Sequence, residues 1–150
     1  MPASTSSKVK SAEYWRTVGD AVYEAMVEVL KAPKDDRFQV IDEHPADALI
    51  TDGHYLVIRR TQGCIFIQLT LNAGRTIEQK KDFYKAVADA LHARLALRPE
   101  DVFINLIEMQ KENWSFGNGI AQYGRSRKIG GARDLACSAE VDRLQCDLNH

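Results

Sequence analysis

No apolar run in this chain reaches the ~18 residues that a membrane-spanning helix needs, so a membrane partner is not expected. Cysteine is scarce: Cys64, Cys137 and Cys146 are the three, and none falls at metal-ligand spacing. The opening Met1–Lys8 lacks the apolar core of a secretory signal, and with an odd cysteine count this reads as reduced thiols and a cytoplasmic location. No charge of one sign dominates. The formal net charge is −1, from 20 basic and 21 acidic residues, which argues against a nucleic-acid partner. The local cluster Arg125, Arg127, Lys128 and Arg133 reads as a solvated tail. His44, His54, His92 and His150 are scattered, without Cys or Glu at zinc spacing, so no metal is expected. Phosphate-binding loops, dinucleotide fingerprints and the G-x-S-x-G elbow are missing as well.

What is present is ordinary in bulk and informative in pattern. Apolar residues make up 45% and charged residues 27% of the chain, as in a soluble globular protein. A chain of 150 residues can bury a core without staples. Sliding Ser11–Glu43 by 65 positions lays it on Thr76–Glu108 without a gap, with eight identities in 33 positions. Among them are Glu13 with Glu78, Val22 with Val87, Leu30 with Leu95, Asp36 with Asp101 and Phe38 with Phe103. Apolar positions match too, such as Val18 with Phe83 and Ile41 with Leu106.

Each copy reads as a helix followed by a strand. Trp15, Val18, Val22, Met26 and Val29 recur at helical spacing, as do Phe83, Val87, Leu91 and Leu95. Thr76 with Gln79 predicts a capping box at the second helix start. Each helix ends in a polar turn, 33–36 or 98–101, and a strand follows over Phe38–Ile41 or Val102–Ile107. A strand over Cys64–Leu71 precedes the second helix, with Cys64 as a small core residue. The second copy is therefore β-α-β, with parallel strands and a right-handed crossover. The offset places a first strand at about residues 2–8, where the composition is polar and reads as coil. Tyr55–Ile58 reads as a short extra strand, and Asn113–Ile120 as a glycine-bearing hairpin.

The expected fold class is α/β (α+β): duplicated β-α-β units with helices on one face of a mixed four-stranded sheet. One domain spans about 1–123, with copies at about 2–43 and 64–108 and a hairpin at about 109–123. Residues 124–150 form a tail outside the core, in which Asp134–Leu148 could make one amphipathic helix.

The junction Pro33–Gln39, the step Glu43-His44-Pro45, and the segments Leu71–Lys80, Pro99–Asn105 and Glu112–Gly119 resemble the tautomerase superfamily. Within it, they are most similar to the branch containing malonate semialdehyde decarboxylase, over roughly residues 11–123. The resemblance implies two pseudo-symmetric β-α-β units, usually assembled as a homotrimer, and chemistry without metal or organic cofactor. It implies a catalytic amino-terminal proline, exposed when the initiator methionine is removed, and Pro2 stands at that position. An α-amino group titrates near ~7.7–8.0, and an apolar pocket beside a cation lowers it further, towards a neutral general base. Arg75 matches an arginine that binds the substrate carboxylate, and Asp36 an aspartate that assists the proline. Asp36 has an equal claim to be a turn residue, since its repeat mate Asp101 precedes a strand in the same way.

Two departures bear on function. The decarboxylase has a second arginine two positions before the one matched by Arg75, and here that position is Ala73. Family members open with an apolar strand, whereas Pro2–Lys8 is polar. The late aromatics Trp114 and Phe116 match the family, and packing at a hairpin or subunit contact accounts for them. The implied activity is keto–enol tautomerisation of a small 2-oxo acid. The alternatives are an inactive binding protein on the same fold with an altered first strand, or a decarboxylase or hydratase.

Overall fold

The computed structural model describes residues 9–124; Pro2, the first expected strand and all but the first residue of the tail lie outside the described residues. Four regular elements follow in order: α1 (Ala12–Glu28), β1 (Ile65–Asn72), α2 (Ile77–Leu95) and β2 (Val102–Met109). β1 and β2 pair in a two-stranded sheet, and α2 connects them. A helical crossover of this length is the connection that parallel neighbours need. No helix among the described residues is long and apolar enough to cross a membrane.

The 65-residue offset is visible in the backbone. Ser11 caps α1 by accepting from the Tyr14 N–H at 3.1 Å, and Thr76 caps α2 by accepting from the Gln79 N–H at 3.1 Å. The Gln79 side chain reaches back to the Thr76 N–H and completes the capping box. Past each helix one residue turns left-handed, Lys31 at φ 56° and Ala96 at φ 54°. The next N–H folds back onto the helix, Ala32 to the Met26 carbonyl and Leu97 to that of Leu91. A polar turn then closes, Asp36 N–H to Pro33 O at 3.2 Å and Asp101 N–H to Arg98 O at 2.9 Å.

The chain divides into two compact units. Among the described residues, the first comprises 9–68 and Arg75–Asn105, and the second Leu69–Gly74 and 106–124. The core of the first is the contact of α1 with α2. Val18, Ala21, Val22 and Ala25 are buried on α1, and Phe83, Val87 and Leu91 are wholly buried on α2. Burying side chains of this size contributes ~1.5–3 kcal/mol each for the larger ones. Cys64 is buried as expected, and burial pushes its thiol pKa up. In the second unit, the Trp114 indole donates to Asn72 Oδ1 at 2.8 Å. Trp114 stacks on Phe116, centroids 5.3 Å apart, and Phe116 meets Tyr123 edge-on.

Two expected strands and an expected hairpin are absent among the described residues. Phe38–Ile41 is not part of the sheet; a strand needs a ladder, and the mate its copy supplies, 2–8, lies outside the described residues. Tyr55–Val57 is a 3-10 turn, not a strand. Asp52 captures the His54 and Tyr55 N–H groups at 2.7 and 2.8 Å, and Arg60 ties to the Tyr55 and Ile58 carbonyls. Those local bonds compete with any ladder, and Leu56 and Val57 are left at positive φ. The 113–120 stretch forms no hairpin strands. Lys111–Asn113 is a 3-10 turn, Gly117, Asn118 and Gly119 all take positive φ, and Gln122 clamps the loop through Phe116 N–H and Gly117 O.

Among the described residues of the first unit, Asp101 is a buried charged residue, 2% exposed. It accepts from Thr61 N–H and Thr61 Oγ1 at 2.6 Å each, and Arg98 lies 3.7 Å away. Removing a buried charged acceptor strands its donors, at a cost of about 2–3 kcal/mol. Asp101→Ala should therefore lower the melting temperature by roughly 5–10 °C, and Asp36→Ala by much less, in paired thermal denaturations.

Candidate active site at the helix junctions

Two of the three sequence-predicted site residues are described, and the fold brings them together. Asp36 ends the turn after α1, half-buried, with its backbone N–H tied to Pro33 O. Arg75 precedes the α2 cap Thr76, also half-buried. The residue before it, Gly74, has φ 124°, a conformation that side-chain-bearing residues rarely adopt. Arg75 Nε donates to the Leu30 carbonyl at 3.2 Å, so the end of α1 holds the guanidinium. Pro2 lies outside the described residues.

Electrostatics couples the pair. Burial raises the Asp36 pKa above the 3.8 of an unperturbed aspartate, and the Arg75 charge pulls it part of the way back. A carboxylate that is dry enough to be raised, beside a fixed cation, can accept or relay a proton near an anionic ligand. The arrangement sets a guanidinium, a group whose donors match a carboxylate, beside a polar group able to hold a water.

Other groups that the sequence offered are engaged elsewhere. Arg37, directly after Asp36, turns to Asp20 Oδ1 at 2.7 Å, donates to Gln39 and lies over the Tyr23 ring. Trp114 and Phe116 are in the aromatic stack of the second unit, in line with packing. A groove of about 460 Å³ lined by Lys81, Tyr84, Lys85, Ala88, Val102 and Ile104 contains neither Asp36 nor Arg75. Its lysines pair with Glu78 and Asp89. Sequence reasoning missed the Leu30 carbonyl as the partner of Arg75, because a backbone acceptor carries no residue-type signal. The one available hint was the helix end just before Pro33.

The raised Asp36 pKa makes a pH prediction. The folded state holds this proton more tightly than the unfolded chain does. The group's contribution to stability is therefore greatest at low pH and falls as pH climbs from about 3.8 through the raised value. Asp36→Asn removes that loss. In urea titrations from about pH 3.5 to 6.5, the variant should gain stability relative to the parent as pH rises. A difference that stays flat would mean that Asp36 is not raised.

Comparison with known proteins places this chain in a family. Two family models, each described as a tautomerase enzyme, match residues 36–117 and 8–59. The probable tautomerase YusQ of Bacillus subtilis (strain 168) is 42% identical over 111 residues, covering 73% of this chain and 87% of the relative. The structure of FG41 malonate semialdehyde decarboxylase inhibited by 3-bromopropiolate is 38% identical, with a TM-score of 0.71 over 76% of this chain and 86% of that one. A malonate semialdehyde decarboxylase, solved in wild-type, mutant and inactivated forms with reference to its decarboxylase and hydratase activities, is 27% identical. It has a TM-score of 0.71 over 77% of this chain and 89% of that one. With its α+β, β-α-β architecture, the chain belongs to the tautomerase family of enzymes.

Proposed function

We propose that this isomerase interconverts the keto and enol forms of a small 2-oxo acid without metal or organic cofactor. The observation that carries the reading is the half-buried Asp36–Arg75 pair at the junction of the two repeat helices. Arg75 holds the substrate carboxylate with charge-assisted hydrogen bonds. The Pro2 secondary amine, freed by removal of Met1, takes a proton from the carbon next to the carbonyl. Electrons shift to the carbonyl oxygen, which takes that proton from the protonated Pro2 amine through a water to give the enol and restore the neutral amine, and the reverse path returns the keto form. A cation near the amine favours its neutral, basic form. Asp36 orients a water or the amine.

A second reading is decarboxylation or hydration, favoured by the 38% identity with FG41 malonate semialdehyde decarboxylase. Ala73 weighs against it, because the resemblance puts a second arginine there. Release of carbon dioxide from malonate semialdehyde, at a rate above that on phenylenolpyruvate, would establish the second reading over the first.

The active form is proposed to be a cytoplasmic homotrimer. Phe66 and Phe103 are exposed on adjacent strands with their rings 4.7 Å apart, and Tyr55, Leu56 and Val57 are exposed on the loop before β1. Apolar surface of this kind is usually covered by association. Light scattering should return about three times the 16.9 kDa of one chain. A monomer at micromolar concentration would remove the trimer from the proposal.

Kinetics tests the chemistry. Retention of Met1, verified by intact mass, should abolish tautomerisation of phenylenolpyruvate, because the amine becomes a non-basic amide. Arg75→Ala should raise KM by ~10- to 100-fold, the equivalent of ~1.5–3 kcal/mol for a lost charged hydrogen bond. Full activity with Met1 attached would take Pro2 out of the mechanism.

A further inference from the structure

Arg75 Nε donates to a carbonyl at the end of a different helix, that of Leu30. Leu30 is 2% exposed, so its carbonyl is fixed in a packed position. The direction of that carbonyl depends on the peptide plane between residues 30 and 31, and Lys31 has φ 56°. This left-handed residue is stabilised locally: Lys31 Nζ donates to Glu28 O at 2.6 Å, and Ala32 N–H to Met26 O at 3.0 Å. The same turn leads through Pro33 to Asp36. One backbone feature thus bears on both described site residues.

We propose that the left-handed turn at Lys31 is a positioning element for substrate recognition: it aims the Leu30 carbonyl at Arg75 Nε and so sets the plane in which the guanidinium meets a carboxylate. The proposal rests on the reading that Arg75 binds the substrate carboxylate. A guanidinium recognises a carboxylate through donors in a fixed fork, so rotation of its plane weakens binding without removing charge. Carboxylate affinity is therefore governed by a residue that does not touch the substrate. Lys31 is a positioning residue acting through Leu30 and Arg75.

Substitutions at position 31 separate backbone from charge. Glycine and asparagine accept positive φ readily, whereas valine and threonine resist it. Lys31→Gly and Lys31→Asn both lose the ammonium but keep the turn. They should leave KM and kcat for phenylenolpyruvate within about twofold of the parent. Lys31→Val should raise KM by about tenfold with kcat changed less than threefold, and Lys31→Thr repeats the test should the valine variant fail to fold. The methyl ester of the same compound, which lacks the carboxylate, should show no change in kcat/KM with either β-branched variant. Adding Lys31→Val to Arg75→Ala should give no further rise in KM. An unchanged KM in Lys31→Val and Lys31→Thr, an equal loss on the ester, or additivity with Arg75→Ala would overturn the proposal. If Arg75→Ala itself leaves KM unchanged, the carboxylate-binding reading fails first. If Arg75→Ala raises KM and the β-branched variants do not, the positioning role alone is lost.

Discussion

The apolar contact between the two repeat helices is the constraint on which the rest of the first unit depends. Phe83, Val87 and Leu91 are wholly buried, and Val18, Val22 and Ala25 are nearly so. The Arg94–Glu24 ion pair links the same two helices, but it is exposed, and pairs of that kind add little. With α1 and α2 locked by packing, their ends are set relative to each other. The end of α1 then brings Leu30 and Asp36 to the start of α2, where Arg75 stands. The candidate site is in this sense a by-product of helix packing: Arg75 donates to Leu30 across 45 positions, and the Asp36 turn is carried to it by the end of α1.

Duplication supplied two equivalent turns, and the chain uses them differently. At the second, Asp101 is buried and satisfied by Thr61, which pins the segment before β1. At the first, Asp36 stays half-exposed beside Arg75, with burial and a cation acting on it in opposite directions. Both aspartates close the same backbone turn. What separates them is burial and hydrogen bonding: Asp101 is buried and accepts a hydroxyl and an N–H from Thr61, with Arg98 3.7 Å away, whereas Asp36 is half-buried in the field of Arg75. A structural aspartate needs its charge to be fully satisfied.

Some of this was legible in the sequence and some was not. The helices, the capping box at Thr76 and the repeat were readable from residue spacing, and the left-handed residues 31 and 96 fall at matched positions; the Ser11 cap is added by the structure. The resemblance also pointed to Asp36 and Arg75, and the structure brings their charges within reach. The short strand expected at Tyr55–Ile58 was misread, because the Asp52 side chain and Arg60 satisfy that backbone locally. The hairpin at 113–120 was misread for a similar reason: Gln122 closes the loop with its own amide. In both cases a polar side chain a few residues away outcompetes the ladder that short apolar patterns predict.

By itself the sequence determined the two helices and their ends, since a 3.6-residue period and a cap within three positions are local properties. It also determined the family, through several motifs in one order. Only the tertiary structure decided which aspartate is buried and what orients Arg75. Thr61 meets Asp101 across 40 positions, and Leu30 meets Arg75 across 45. Contacts of that separation depend on how the helices pack and on which backbone carbonyl a left-handed residue turns outward, and no local pattern of residue types encodes either.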